Sequence, residues 1–483
     1  MSDLKNKFLY QAALAISQLL FPLITYPWLT RTLGPEGLGK TGYIEFTAGL
    51  IFTLFSIGIS YYGVREIAKQ RNNKEKRSQL TGELLSIHLI SIFIGIIIFC
   101  AIVLSNKNFN SEKELIVLGA AYILTQVFSM EWYMQGMEEF KFIAIRNTVI
   151  RLAGLAAILL FVRTRDDYIF YFGIITVTQL LVSVITIAKL LAENKIRLFM
   201  GPLQTHLKPL FWFFLTSSFI SIYVYFDTVI LGFLTDDKTV GYYTVAIKIV
   251  KLPLLLLLTF NTILFPRISF LNTENRTEEI KRLYQISIEF IFSLTIPVCI
   301  AIYCLAPEII QLIAGTGFTP SIAVIQILAA LPFIICITNF LVLQLLIPMH
   351  REKNIVAAVL LGSITSMVLL LLLIPRMKEQ GAAWATLATE FLVMSVCIFF
   401  SRGSIKNAIS VKTFLSSFLF SLLIIPITWL ARDIFSSVLF VIIIVFITAG
   451  LIYFLLQYFV AGNMIIKECI AFIKKPFSRI DQK

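Results

Sequence analysis

Charge is scarce in this chain. Only 14% of its 483 residues are Asp, Glu, Lys or Arg, where a soluble domain carries about 25%. No GxxxxGK[ST] phosphate loop occurs, nor any hydrophilic domain large enough to hold one, which argues against ATP-driven transport by this chain alone. HExxH, GxSxG and clustered carboxylates are missing too, and the loops expected outside the membrane are short. An enzyme is therefore not expected, and neither is a cofactor. The cysteines, Cys100, Cys299, Cys304, Cys336, Cys397 and Cys469, lack metal-ligand spacing and read as unpaired packing residues. The short alternating segments of a membrane β-barrel are not visible.

What fills the chain is apolar. Hydrophobic residues make up 58% of it, and the mean hydropathy is +0.87. Runs of about 20 apolar residues, the length that crosses a bilayer as a helix, recur throughout. They predict an all-α polytopic membrane protein of about 14 transmembrane helices, the first at 8–30 and the last at 437–461. Lys5 and Lys7 precede the first run as in a signal peptide, but no small-residue cleavage site follows, so it reads as a retained span. Most of the 41 Lys and Arg fall in segments on the same side as the N-terminus. By the positive-inside rule both termini are cytoplasmic, and the net charge of +13 faces lipid headgroups rather than nucleic acid. The five tryptophans fall near predicted span ends, where an aromatic belt belongs.

A few charges sit where lipid should forbid them. In the stretch SIYVYFDTVILGFLTDDKTVGYYTVAIKIVK (221–251), Asp227 precedes a short polar loop and Lys248 and Lys251 follow it, inside two predicted spans. A charge near mid-bilayer costs roughly 2.5–3.5 kcal/mol on insertion scales, so such residues normally face water or a partner. The two lysines are three apart and share a helix face. Folding the hairpin at its loop brings Asp227 to within about one turn of Lys248 in depth. They predict one wall of a cationic cavity, with a structural Asp227–Lys248 salt bridge as the plainer alternative.

Similar charges occur earlier. Arg31 opens the loop RTLGPEGLGK (31–40), as a cavity cation or a snorkelling interfacial one, and Glu45 follows at a matching depth. Reflecting the hairpin at Glu139 sets Glu131 opposite Arg146, a natural ion pair. Arg151 lies deeper, where a cation calls for an anion or water, and is the better functional candidate. Gln11, Gln18 and Thr25 line one face of the first span, and His88 reads as a helix contact rather than a proton carrier. Glu289 and Glu390 could each carry a coupling proton or be neutralised by burial.

Leu33-Gly34 and Gly42-Tyr43 bracket the first outer loop as Leu231-Gly232 and Gly241-Tyr242 bracket the fourth, at an offset near 200 residues. That suggests a parallel repeat. The expected organisation is an N-terminal lobe of six spans at 1–200, a C-terminal lobe of six at 201–404, and a final helix pair with a basic tail at 405–483. In the tail, Ile465, Ile466, Ile470 and Ile473 alternate with Lys467, Lys474 and Lys475, as in a surface amphipathic helix.

Three segments, TRTLGPEGLGKTGY (30–43), EWYMQGMEEFKFIAIRN (131–147) and YFDTVILGFLTDDKTVGYYTVAIKIVKLP (225–253), together with GAAWATLATE (381–390), resemble the Wzx-type O-antigen and polysaccharide repeat-unit flippases. These form the polysaccharide transporter family of the multidrug/oligosaccharidyl-lipid/polysaccharide exporter superfamily. The resemblance spans nearly the whole chain and implies two six-helix lobes around a central cavity, plus a helix pair. It also implies a multi-pass protein of the bacterial inner membrane that moves an undecaprenyl-diphosphate-linked oligosaccharide to the outer leaflet by alternating access. A proton or sodium gradient would drive it, and a polysaccharide polymerase and chain-length regulator are possible partners. On that reading Lys248, Lys251, Arg31 and Arg151 meet the diphosphate and sugars, while Asp227, Glu45, Glu131 and Arg146 gate or pair with the cations. Two rivals remain: a cation-coupled multidrug exporter, whose cavity should carry carboxylates, and a non-transporting scaffold for polysaccharide assembly.

Overall fold

The apolar runs form helices because a helix satisfies every backbone N–H and C=O inside its own segment, which lipid cannot do for them. The computed structural model describes residues 2–106, 112–193, 198, 203–274, 276–349, 351–405 and 410–462. The side chains of Gln11 and Gln18, the junction at 199–202 and the tail beyond Gly462 lie outside the described residues.

The helices are α1 (Ser2–Phe55), α2 (Ile59–Lys69), α3 (Lys74–Ser105), α4 (Lys113–Phe128), α5 (Glu131–Gly136), α6 (Phe140–Phe161), α7 (Tyr168–Glu193), α8 (Gln204–Leu234) and α9 (Asp237–Lys251). They continue as α10 (Leu254–Thr273), α11 (Thr277–Cys304), α12 (Ala306–Ile313), α13 (Ser321–Leu328), α14 (Leu331–Phe340), α15 (Glu352–Ile405), α16 (Val411–Ser421), α17 (Ile424–Ile434) and α18 (Val438–Leu456). No β-strand occurs among the described residues.

Hydropathy leads one to expect fourteen spans. Among the described residues ten helical segments are long and apolar enough to cross a membrane, or eleven if the bent pair Phe21–Phe55 and Ile59–Lys69 is taken as one span. The difference has visible sources. At about 1.5 Å per residue, a straight 54-residue helix would run about 80 Å, far beyond a hydrocarbon core of roughly 30 Å. α1 is broken at Gly34 (φ 67°, ψ −176°), a backbone conformation that glycine adopts without strain, and Pro35 opens the next helix. α15 is broken at Lys378 (φ 48°, ψ −126°) and counts as one segment, although it holds two expected spans. There a Cβ on Gly381 would lie 2.5 Å from the Leu373 carbonyl oxygen, so glycine is what lets the two arms close on each other. Of α8, the apolar stretch Val224–Leu234 is shorter than a span and stays outside the count.

The chain divides into two compact units. The first is Met1–Thr244 with Ile313–Gly317 and Ser366–Ala382, and the second is Val245–Leu312, Phe318–Thr365 and Ala383–Lys483. In the first unit α1 packs on α3, α4, α6 and α8, and α4 packs on α7. In the second, α11 packs on α10, α14 and α16. A buried polar network at its centre joins Ser287, Asn261 and Gln344, the last in the π-helical turn Leu341–Leu346. Tyr284 donates to the Gln344 carbonyl at 3.0 Å, satisfying a backbone group in that turn.

The expected C-terminal helix pair is fastened to the second unit rather than hanging from it. Leu305 on the α11–α12 side packs into one core with Ile424, Ala431, Val441, Val445 and Ala449. Arg432 grips Glu308 with two nitrogens, at 2.7 and 2.9 Å. The far side of the pair is apolar and exposed, Trp429 at 74% and Phe446 at 79%, as suits a lipid-facing surface.

Candidate functional site

Asp227 sits on α8, buried at 6% exposure, and is held by groups from its own hairpin. The Tyr243 hydroxyl donates to its Oδ2 at 2.5 Å, and the Thr228 N–H and hydroxyl donate to Oδ1 at 2.6 and 3.2 Å. A carboxylate with three donors is stable away from water in a way that a bare one is not. Tyr243 was not singled out in the sequence. The reflection about the polar loop that relates Asp227 to the next span also passes over Tyr243, so the signal was there.

The loop beneath this pair is fixed by its own capping. Asp236 accepts from the Thr239 N–H at 2.9 Å, which starts α9, and lies 3.8 Å from the Lys378 ammonium. Burial pushes the Asp236 carboxyl up, but the hydrogen bonds from Thr239 and the charge of Lys378 outweigh it and hold the group below the usual carboxylate range. The two glycine-bracketed hairpins meet through small residues. Gly42 packs on Thr244, Gly49 on the Tyr225 ring, and Gly232 on the Tyr43 ring.

The other charged residues of the first unit fall into separate environments. Glu131 and Arg146 come together at 3.2 Å, with the Arg146 guanidinium almost fully buried and also bonded to Asn147 and the Thr186 hydroxyl. Arg151 is half-buried one turn further along α6. Arg31 is exposed just before the break at Gly34, its aliphatic stem beside Gly315, and Glu45 is half-buried on the second arm of α1. His88 bonds the Ser56 hydroxyl at 3.1 Å, where α1 gives way to α2. A cluster that sequence reasoning missed joins Lys40 to Glu112 at 2.7 Å, with the Tyr168 hydroxyl on the same carboxylate at 2.9 Å.

Lys248 and Lys251 belong to the second unit and lie in the last turn of α9. Hydropathy predicts one span at 239–265, but the helix stops at Lys251 and α10 begins at Leu254. Pro253 is the cause: it has no N–H to offer the Ile249 carbonyl, which bonds the Leu252 N–H instead. Both lysines are half-buried, while Ile249 and Val250 between them and Ile247 just before them are buried. A cation at a helix C-terminus meets the negative end of the helix dipole, so the break itself helps the membrane tolerate these charges. Interrupted helices with polar termini inside a span are where transporters commonly bind charged ligands.

The fold is shared with solved membrane transporters. The chain superposes on a structure described as "Lipid II flippase MurJ, inward closed conformation" with a TM-score of 0.75 and 14% identity, over 96% of this chain and 100% of that one. It superposes on an inward-facing multidrug resistance MATE family transporter of the MOP superfamily with a TM-score of 0.59 and 13% identity, over 81% of this chain and 95% of the other. The class is thus an all-α, multi-pass membrane protein with the fold that these structures share. Residues 4–272 match the family described as "Polysaccharide biosynthesis protein", and the chain belongs to that family. Two relatives carry the name "Putative O-antigen transporter". One, from Escherichia coli (strain K12), is 27% identical over 83% of this chain and 97% of its own. The other, from Shigella dysenteriae, is 25% identical over 78% and 94%.

Proposed function

We propose that this protein is a flippase. It moves an undecaprenyl-diphosphate-linked oligosaccharide repeat unit from the inner to the outer leaflet of a bacterial inner membrane, with both termini cytoplasmic. The cycle is alternating access coupled to an ion gradient, and no step requires enzymatic chemistry. Family membership and the names of the two relatives support a lipid-linked saccharide as cargo.

The observation that carries the reading is the pair Lys248 and Lys251, half-buried in the last turn of a helix interrupted inside a candidate span, Asp237–Leu258. A diphosphate carries two or more negative charges, and ammonium groups in a low-dielectric setting are suited to it. We assign Lys248 and Lys251 to the diphosphate, and Arg31 and Arg151 to further anionic groups of the same cargo. Asp227 is assigned to gating, and the Glu131–Arg146 pair and Glu45 to holding their helices.

The test is surface display of the repeat unit in cells carrying Lys248→Ala, Lys251→Ala or both, at matched membrane levels. Display should fall in each single variant and further in the double, with Lys→Arg retaining more than Lys→Ala. Full display from the double variant would remove these lysines from the mechanism. The scaffold alternative predicts altered assembly without altered flipping, and the multidrug alternative predicts drug resistance instead of display.

A further inference from the structure

A buried titratable cluster lies in the first unit, away from the residues just assigned. It joins three helices. His206, in the first turn of α8, points Nε2 at Glu83 Oε2 of α3 and Nδ1 at the Tyr62 hydroxyl of α2, each at 2.8 Å. Gln79 donates to the other Glu83 oxygen at 2.9 Å. Tyr62 is 5% exposed, Glu83 6% and His206 9%.

We propose that Glu83 and His206 form the proton-binding site through which this protein's cycle is coupled to a proton gradient. The proposal rests on the reading of the chain as an ion-coupled flippase and names the ion. In the neutral state Nε2–H donates to the Glu83 carboxylate and bare Nδ1 accepts from the Tyr62 hydroxyl, so both ring nitrogens are satisfied. A proton taken up at Nδ1 turns that nitrogen into a donor. Tyr62 then accepts, its own hydrogen rotating away, and an imidazolium faces a carboxylate. The site gains one proton, and no other bond forms or breaks.

Each of the three helices carries further charged groups. On α2, Arg65 lies over the Tyr62 ring at 5.3 Å, and Arg65 and Lys69 both close on Glu66 at 2.9 Å. On α3, Arg77 donates to the Arg71 carbonyl at 2.6 Å, and on α8 the neighbouring Lys208 is exposed. α5, packed on α2, contributes Glu131, which is paired with Arg146.

Protonation turns a hydrogen bond from a neutral imidazole to a carboxylate into an ion pair between two charged groups. It therefore tightens the start of α8 onto α2 and α3, and loss of the proton loosens it. α8 is the helix that carries Asp227 and packs Gly232 against Tyr43. Proton occupancy at one end thus biases the helix that holds the buried carboxylate.

The chain has three histidines, which makes a direct test practical. Imidazole ¹⁵N spectra of the full chain in nanodiscs, assigned with His88→Asn and His350→Asn, should show His206 taking up a proton as the pH is lowered. Glu83→Gln should move that transition toward lower pH by about one unit or more, because the opposing charge is gone. An imidazole that keeps one protonation state throughout, or a transition that Glu83→Gln leaves in place, overturns the proton site. In proteoliposomes with a defined lipid-linked oligosaccharide, His206→Gln and Glu83→Gln should abolish acceleration of flipping by an imposed proton gradient. Gradient-driven acceleration that survives in both variants overturns the coupling role. If the wild-type protein fails to flip, the proposed function falls, and the spectra still decide whether the pair binds a proton.

Discussion

Gly39 and Gly241 are pressed backbone to backbone. A Cβ on Gly39 would lie 1.7 Å from the Asp237 carbonyl oxygen, and one on Gly241 would lie 2.0 Å from the Pro35 carbonyl oxygen. The contact is reciprocal: each glycine receives a carbonyl from the hairpin that carries the other. Such an arrangement suits two hairpins of similar sequence and opposite placement about a local pseudo-two-fold axis.

Any side chain at either position must push the hairpin tips apart. Gly39→Val and Gly241→Val should each lower stability by about 1–3 kcal/mol, read as a drop in the thermal unfolding midpoint in detergent. Gly173→Ala is the control. Its Cβ would meet nothing within 4 Å in the second turn of α7, so it should be neutral or stabilising.

The Tyr243 hydroxyl reaches Asp227 from beyond the polar loop. Tyr243→Phe keeps the ring and removes that donor, leaving a buried carboxylate short of a partner. The expected cost is about 1–3 kcal/mol. Tyr243→Phe combined with Asp227→Asn should cost less than the sum of the two single changes, and a double-mutant cycle on thermal unfolding reads that difference.

Arg432 and Glu308 fasten the C-terminal helix pair, and their carboxylate side is nearly buried, with Glu308 at 10% and Arg432 at 37% side-chain exposure. Because the arginine is partly solvated, Arg432→Ala should cost only about 1–2 kcal/mol. Replacing both by apolar residues should recover part of that loss, and flipping in proteoliposomes should persist in the double variant. Loss of flipping there, with the protein still folded, would make the pair functional rather than structural.

Much of the architecture was legible because lipid leaves few choices. Apolar runs had to be helices, Gly34 marked where the first long helix turns, and hairpin reflection set Glu131 against Arg146. The site was less legible. Glu83 and His206 are 123 positions apart, and neither belongs to a pattern that links them before the helices pack. Lys40 and Glu112 meet across 72 positions for the same reason. Pro253 was visible in the sequence, yet hydropathy averages over it. The interruption behind Lys251 therefore emerges only when the backbone hydrogen bonds are followed one by one.

The most direct measurement is the initial flipping rate of a defined undecaprenyl-diphosphate-linked oligosaccharide in proteoliposomes holding equal amounts of folded wild-type protein or the Lys248→Ala/Lys251→Ala variant. Loss of two charge-assisted contacts to the diphosphate, at roughly 1.5 kcal/mol or more each, predicts a fall of about a hundredfold. An unchanged rate from the folded double variant would contradict the account.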